Sequence, residues 1–113
     1  MEKDPAVYMV ASGFHGTLYI GVTSNLLQRI VQHRDGTLGG FTRRYSCKRL
    51  VWFEMSGSME SAIRREKQLK NWRREWKLAL IEKSNPTWRD LAEDLGFEPF
   101  VGGRKVDPGS SPG

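Results

Sequence analysis

The 113-residue sequence holds one cysteine, Cys47, which excludes an intrachain disulfide and any zinc site built from a cluster of thiolates. A reducing compartment is the simplest setting. Long apolar runs are absent as well. No stretch nears the roughly 20 residues of a bilayer-spanning helix, and the opening Met1-Glu2-Lys3-Asp4-Pro5 lacks the apolar core of a secretory signal. A cytoplasmic protein without a membrane partner is therefore expected. Acidic residues are the minority: 13 Asp and Glu stand against 18 Lys and Arg, giving +5 and a pI near 9.7. Charge of this sign speaks to association with an anionic polymer and not to fold. Arg43-Arg44, Lys48-Arg49, Arg64-Arg65 and Arg73-Arg74 lie near aromatics, a mixture that favours nucleic acid as the partner. There are no internal repeats, and 113 residues with 38% hydrophobic content suit one compact domain with a single modest core.

What is present is concentrated between Tyr8 and His33. Tyr8-Met9-Val10 and Leu18-Tyr19-Ile20-Gly21-Val22 are aromatic and β-branched runs separated by Ser12-Gly13-Phe14-His15-Gly16-Thr17, which predicts a hairpin that sets the two tyrosines side by side. Gly21 reads as a strand glycine beside which a backbone or ligand can come close. Leu26, Leu27, Ile30 and Val31 then recur at helical spacing, with Thr23 or Ser24 placed to cap the helix and Asp35-Gly36 to end it. Arg29 and His33, four apart, share one helical face at the edge of that apolar stripe. Two phenols, a guanidinium and an imidazole can thus converge. A guanidinium matches phosphate oxygens, and phenol and imidazole can accept or relay the proton of an attacking water. This stretch supplies no metal ligand.

Farther on, a glycine-rich loop leads into Phe41-Thr42-Arg43-Arg44-Tyr45, whose hydroxyl, guanidinium and ring groups suit phosphate and base. Leu50-Val51-Trp52-Phe53 predicts a strand buried on both faces, central or third in an antiparallel sheet. A helix capped by Ser58 follows to about Lys70. Its apolar stripe is Met59, Ala62, Ile63, Leu69 and the stem of Lys70, and Glu66 falls in the middle of it. An unpaired buried carboxylate costs several kcal/mol in effect. Glu66 should therefore face a cation, a metal ion or a polar cleft, and on these grounds an ion pair with one of the arginines is at least level with a metal.

Tyr8, then Tyr19-Ile20-Gly21 eleven residues later, Arg29 ten beyond Tyr19 and His33 four beyond that resemble the GIY-YIG nuclease family in its small single-domain bacterial form. The first triplet is Ala6-Val7-Tyr8, of which only the tyrosine matches. Residues 62–70, Ala-Ile-Arg-Arg-Glu-Lys-Gln-Leu-Lys, are similar to the family's metal-binding helix. The resemblance implies a nuclease in which Tyr8, Tyr19, Arg29, His33 and Glu66 are catalytic, with Glu66 holding one divalent cation, Mg²⁺ or Mn²⁺. Tyr8 is then the first choice of general base, provided that Arg29 or the metal lowers a phenol pKa of about 10. It also implies substrate contacts from Gly21, Thr42, Arg43 and Arg44, and makes Asn85 a candidate. Multidomain relatives include homing endonucleases and the excision-repair nuclease, which implies DNA ahead of RNA and a part in repair or recombination. With no recognition domain in this chain, selection by substrate structure is expected.

The fold expected is α/β, a small three-stranded antiparallel sheet flanked by helices over residues 1–95, followed by a flexible tail over 96–113 from which Phe97, Phe100 and Val101 can dock back. Trp72 and Trp76 are expected in the core, and Asn85-Pro86 is expected to start a last short helix. The rival functional reading is a nucleic-acid-binding module that does not cut and acts with a partner protein.

Overall fold

The computed structural model describes residues 4–101 and 104–105, the last two and 100–101 by backbone alone. Strands β1 (Ala6–Ala11) and β2 (Leu18–Thr23) form the predicted hairpin, with Tyr8 opposite Gly21 and Val10 opposite Tyr19. Strand β3 (Arg49–Met55) pairs antiparallel on the other side of β1, with the register shifting between Met9 and Val10. The order is β2-β1-β3. The centre therefore belongs to β1, and the Leu50–Phe53 run lies on an edge. Every residue of β1 is buried, because helices cover both faces of the sheet.

Those helices divide the expected single core in two. Val7, Met9 and Ala11 pack with Ile20, Trp52, Ala62, Leu69, Ile81 and Trp88; Ala6, Tyr8 and Val10 pack with Leu26, Ile30, Cys47, Leu50 and Ala92. Alternation along β1 makes this division. Helix α1 (Leu26–Asp35) lies on the Tyr8 face, while α3 (Met59–Lys70) and α4 (Arg74–Ser84) lie on the Met9 face.

Local chemistry sets the helix ends. Asn25, not Thr23 or Ser24, caps α1 by accepting from the Gln28 N–H at 3.1 Å, while Thr23 Oγ1 accepts from the Asn25 N–H at 3.0 Å. Gly36, in the left-handed region, ends it. The segment at Phe41 is a short helix, α2 (Gly40–Arg44), started by Gly39 and Gly40 at positive φ. Ser58 caps α3 as predicted.

Two expectations fail in the last third of the chain. Trp72 is partly buried against the core, but Trp76 is 51% exposed and meets Trp72 edge-on from outside; Ile81 is the residue that α4 inserts. Asn85 ends α4 instead of starting a helix. Its N–H bonds to Ile81 O, its Nδ2 donates to Val51 O and Arg89 O, and its Oδ1 accepts from Arg89 N–H. After a turn through the buried Trp88, a 3-10 helix (Leu91–Leu95) is capped by Asp90. Beyond residue 95, Phe97 packs against the Tyr8-side core with the Arg34 guanidinium 5.0 Å from its ring centre. Strands β4 (Phe100–Val101) and β5 (Arg104–Lys105) pair antiparallel. The rest of the expected tail, 102–103 and 106–113, and the side chains of Phe100 and Val101 lie outside the described residues. No helix among the described residues is long and apolar enough to cross a membrane.

Candidate active site

The β1–β2 register sets Tyr8 and Tyr19 on the sheet face that α1 covers, with ring centres 6.5 Å apart. From α1, His33 Nε2 comes within 2.9 Å of the Tyr8 hydroxyl, and Arg29 Nη1 donates to the same oxygen at 3.4 Å. Tyr8 is 1% exposed and His33 is 3% exposed, whereas Arg29 and Tyr19 are only half-buried. The guanidinium is thus the part of this trio nearest to solvent.

Gly21 is what lets the trio form. A Cβ there would lie 2.5 Å from Tyr8 Cζ and 2.9 Å from Cε1, so the Tyr8 ring occupies the space a side chain would fill. The close approach expected at Gly21 is made by the protein's own phenol. Gly21→Ala is expected to cost about 1–3 kcal/mol as overpacking and to break the Tyr8–His33 contact. Thermal melting with an NMR titration of His33 checks this; an unchanged melt and an unchanged histidine titration would refute it.

Burial sets the protonation states. Desolvation pushes Tyr8 up to about 12, outweighing the pull of Arg29, so Arg29 alone does not meet the condition for Tyr8 to act as a free base. Burial, reinforced by the positive charge of Arg29, pushes His33 down to about 4. At neutral pH both rings are uncharged. With Arg29 donating to the phenol oxygen, the phenol proton has His33 Nε2 as its acceptor, which assigns the imidazole proton to Nδ1. Nδ1 is buried without a hydrogen-bond partner among the described residues. The trio is a hydrogen-bonded chain with one open end.

Glu66 stands on α3, which packs on β1 and β2 from the opposite face. Its side chain is 15% exposed, its charge adds to the rise of the Tyr8 pKa, and its partner is Lys70 Nζ at 3.1 Å. The cation it meets here is therefore a lysine of its own helix and not an arginine. Among the described residues no three His, Cys, Asp or Glu side chains group as a metal cage. A cation at Glu66 would be held by one carboxylate completed by water and phosphate, a set that suits Mg²⁺. The donor present fits the ion, with Lys70 as its competitor.

The remaining predicted contacts divide. Phe41 approaches Tyr19 at 6.1 Å and Tyr45 at 4.7 Å, and Arg44 lies 5.6 Å from the Tyr45 ring centre. Arg43 and Arg44 are exposed, as a substrate contact requires. Thr42 is not; it is 7% exposed, and its hydroxyl donates to Gly39 O at 3.3 Å to fasten α2. Asn85 is spent on the backbone bonds described above and is 2% exposed. Sequence reasoning missed Lys70 as the partner of Glu66, although spacing of four on one helix was the available signal.

Comparison with known proteins agrees with this fold. The GIY-YIG catalytic domain family matches residues 4–79. A UPF0213 protein of Syntrophus aciditrophicus (strain SB) is 39% identical over 71 residues, covering 62% of this chain and 80% of that protein. Another, from Bacillus pumilus (strain SAFR-032), is 30% identical over 83 residues, covering 74% and 85%. A third, UPF0213 protein SAG0778 of Streptococcus agalactiae, is 32% identical over 83 residues, covering 74% and 94%. No solved structure gives a significant match. The chain belongs to the GIY-YIG nuclease family, in the small form found in these bacterial proteins.

Proposed function

We propose that the protein is a divalent-metal-dependent endonuclease that hydrolyses nucleic acid phosphodiesters, DNA ahead of RNA, chosen by structure, in repair or recombination. The observation that carries this reading is the trio of Arg29, Tyr8 and His33, two neutral proton carriers behind one fixed cation. A water oxygen bonds to phosphorus as the bond to the leaving oxygen breaks. The water proton passes to Tyr8 oxygen while the phenol proton passes to His33 Nε2, so no buried tyrosinate is formed. An imidazolium made in a buried place beside Arg29 is unfavourable, and the proton is passed on to the leaving oxygen or to solvent. Arg29 meets the charge that develops on the phosphate. Glu66 would hold Mg²⁺ or Mn²⁺, which when bound supplies Lewis-acid polarisation of the phosphate.

The Lys70–Glu66 ion pair favours a second reading, a non-cleaving nucleic-acid-binding module acting with a partner protein. One experiment separates the two. Labelled single-stranded, duplex and branched DNA and RNA are offered with Mg²⁺, Mn²⁺ or EDTA, from pH 4 to 9. Metal-dependent cutting is expected. Its acid limb should lie near His33's lowered value of about 4, well below the ordinary 6.5 of a histidine, because the acceptor stays neutral until then. Salt-sensitive binding without any cutting would replace the nuclease by the module.

A further inference from the structure

Residues 64–77 hold seven lysines and arginines against two glutamates, a formal +5 that equals the charge of the whole chain. They form the end of α3, the turn and the start of α4. Neither the two cores nor the candidate active site accounts for this elbow. Arg64 and Lys67 are exposed and make no ion pair among the described residues, and Trp76 is half-exposed. The groups of the elbow, of which Arg65 and Trp72 are half-buried, are ordered. Arg65 lies 5.4 Å from the Trp72 ring centre, Trp72 meets Trp76 at 6.1 Å, and Arg73 lies 5.5 Å from Trp76. Beside them Ser61, Arg64, Arg65 and Gln68 line a hollow of about 230 Å³. Arg65 is held in place by Glu54 at 3.1 Å and Gln68 at 2.6 Å, while Arg73, exposed and 3.8 Å from Glu75, is stacked on an indole and so loses less freedom on meeting an oxyanion than a free side chain would.

From this juxtaposition we propose that the α3–α4 elbow is a second nucleic-acid surface, which grips phosphates of the substrate polymer away from the bond that is cut. The proposal rests on the nuclease reading for the identity of the polymer. Lys70 connects the two places. It pairs with Glu66 and also belongs to the elbow, roughly 6 Å along the helix axis at 1.5 Å per residue. A strand engaged at Glu66 can therefore follow α3 to the start of α4. The elbow supplies affinity, and the trio supplies chemistry.

The test is binding of fluorescent duplex and single-stranded DNA in EDTA across a salt series. It compares wild type with the triple variant Arg64→Ala/Lys67→Ala/Arg73→Ala and with Lys83→Ala at the far end of α4. The triple variant is expected to bind at least tenfold more weakly at low salt, with the log–log salt slope reduced by about 2–3, near one unit per lost phosphate contact. Lys83→Ala should match wild type, and cutting at saturating DNA should be retained with a raised KM. Since all the positions are exposed, circular dichroism should show native folding in each variant. Wild type that binds, with an unchanged slope in the triple variant, overturns the elbow and leaves the nuclease standing. Wild type that binds no nucleic acid overturns both. Loss of cutting at saturation with binding intact also overturns the elbow, because it would place these residues in the chemistry.

Discussion

Glu66→Ala is expected to bind nucleic acid and no longer cut it, and Arg29→Ala to cut about 10²–10³-fold more slowly, the range for losing one group aimed at developing charge. The two losses have different causes. Glu66 is the α3 carboxylate whose charge reaches Tyr8, so its removal would take away the site proposed for a divalent cation and leave Lys70 without this partner. Arg29 touches the phenol oxygen and is one of the two causes that hold the His33 pKa down. Its removal should therefore also move the acid limb of the rate profile upward, toward the ordinary histidine range. Glu66→Ala should leave the His33 titration where it is. Single-turnover rates and an NMR titration of both variants measure this; wild-type rates in either, or an unmoved His33 in Arg29→Ala, would count against the assigned roles.

The second large effect is on stability. Asp90 and Arg34 side chains are 7% and 9% exposed and meet at 2.9 Å. Asp90 Oδ1 also accepts from the N–H groups of Leu50 at 3.1 Å and Ala92 at 3.0 Å. One carboxylate thus joins α1, the edge strand β3 and the 3-10 helix. Asp90→Ala takes a counter-charge from a nearly buried guanidinium, which also donates to Glu98 O, and the acceptor from a buried N–H at once. Breaking such a pair costs about 3–5 kcal/mol, and in a domain of this size that lowers Tm by on the order of 15–30 °C. Asp90→Asn keeps an acceptor for the backbone and should fall in between. A Tm within about 5 °C of wild type for Asp90→Ala would show that the pair does not hold these elements together.

Much of this arrangement could be read from the chain, and the failures have physical causes. The hairpin and α1 follow from local periods, so the meeting of Tyr8, Tyr19, Arg29 and His33 was legible from spacing. The order of strands was not. With both faces covered, β1 and β3 each read as an apolar run, and burial does not say which lies in the middle. Asn85 had the look of a helix start, but the same amide can close the preceding helix, and only the position of Val51 O and Arg89 decides between them. Trp76 follows Trp72 at helical spacing across a turn that breaks the helix, so the shared stripe was not real. Asp90 before Leu91-Ala92 was a cap signal in plain view, yet nothing local names Arg34, 56 residues earlier, as its partner. The protonation states of Tyr8 and His33 lay beyond the sequence for the same reason, since they are set by what other segments place around them.

The two halves of the proposed catalytic set are mounted on opposite sides of one thin plate: α1 carries the arginine and imidazole, and α3 carries the carboxylate. Their separation is therefore a dimension of the plate and not of either helix. A swelling of the β1–β2 layer, or a bulkier contact where Ala62 seats α3, would open the gap by a fraction of an ångström while each half kept its own internal bonds. Such a protein would melt normally, titrate normally and still fail to cut, an alignment fault invisible to any assay that inspects the parts one at a time.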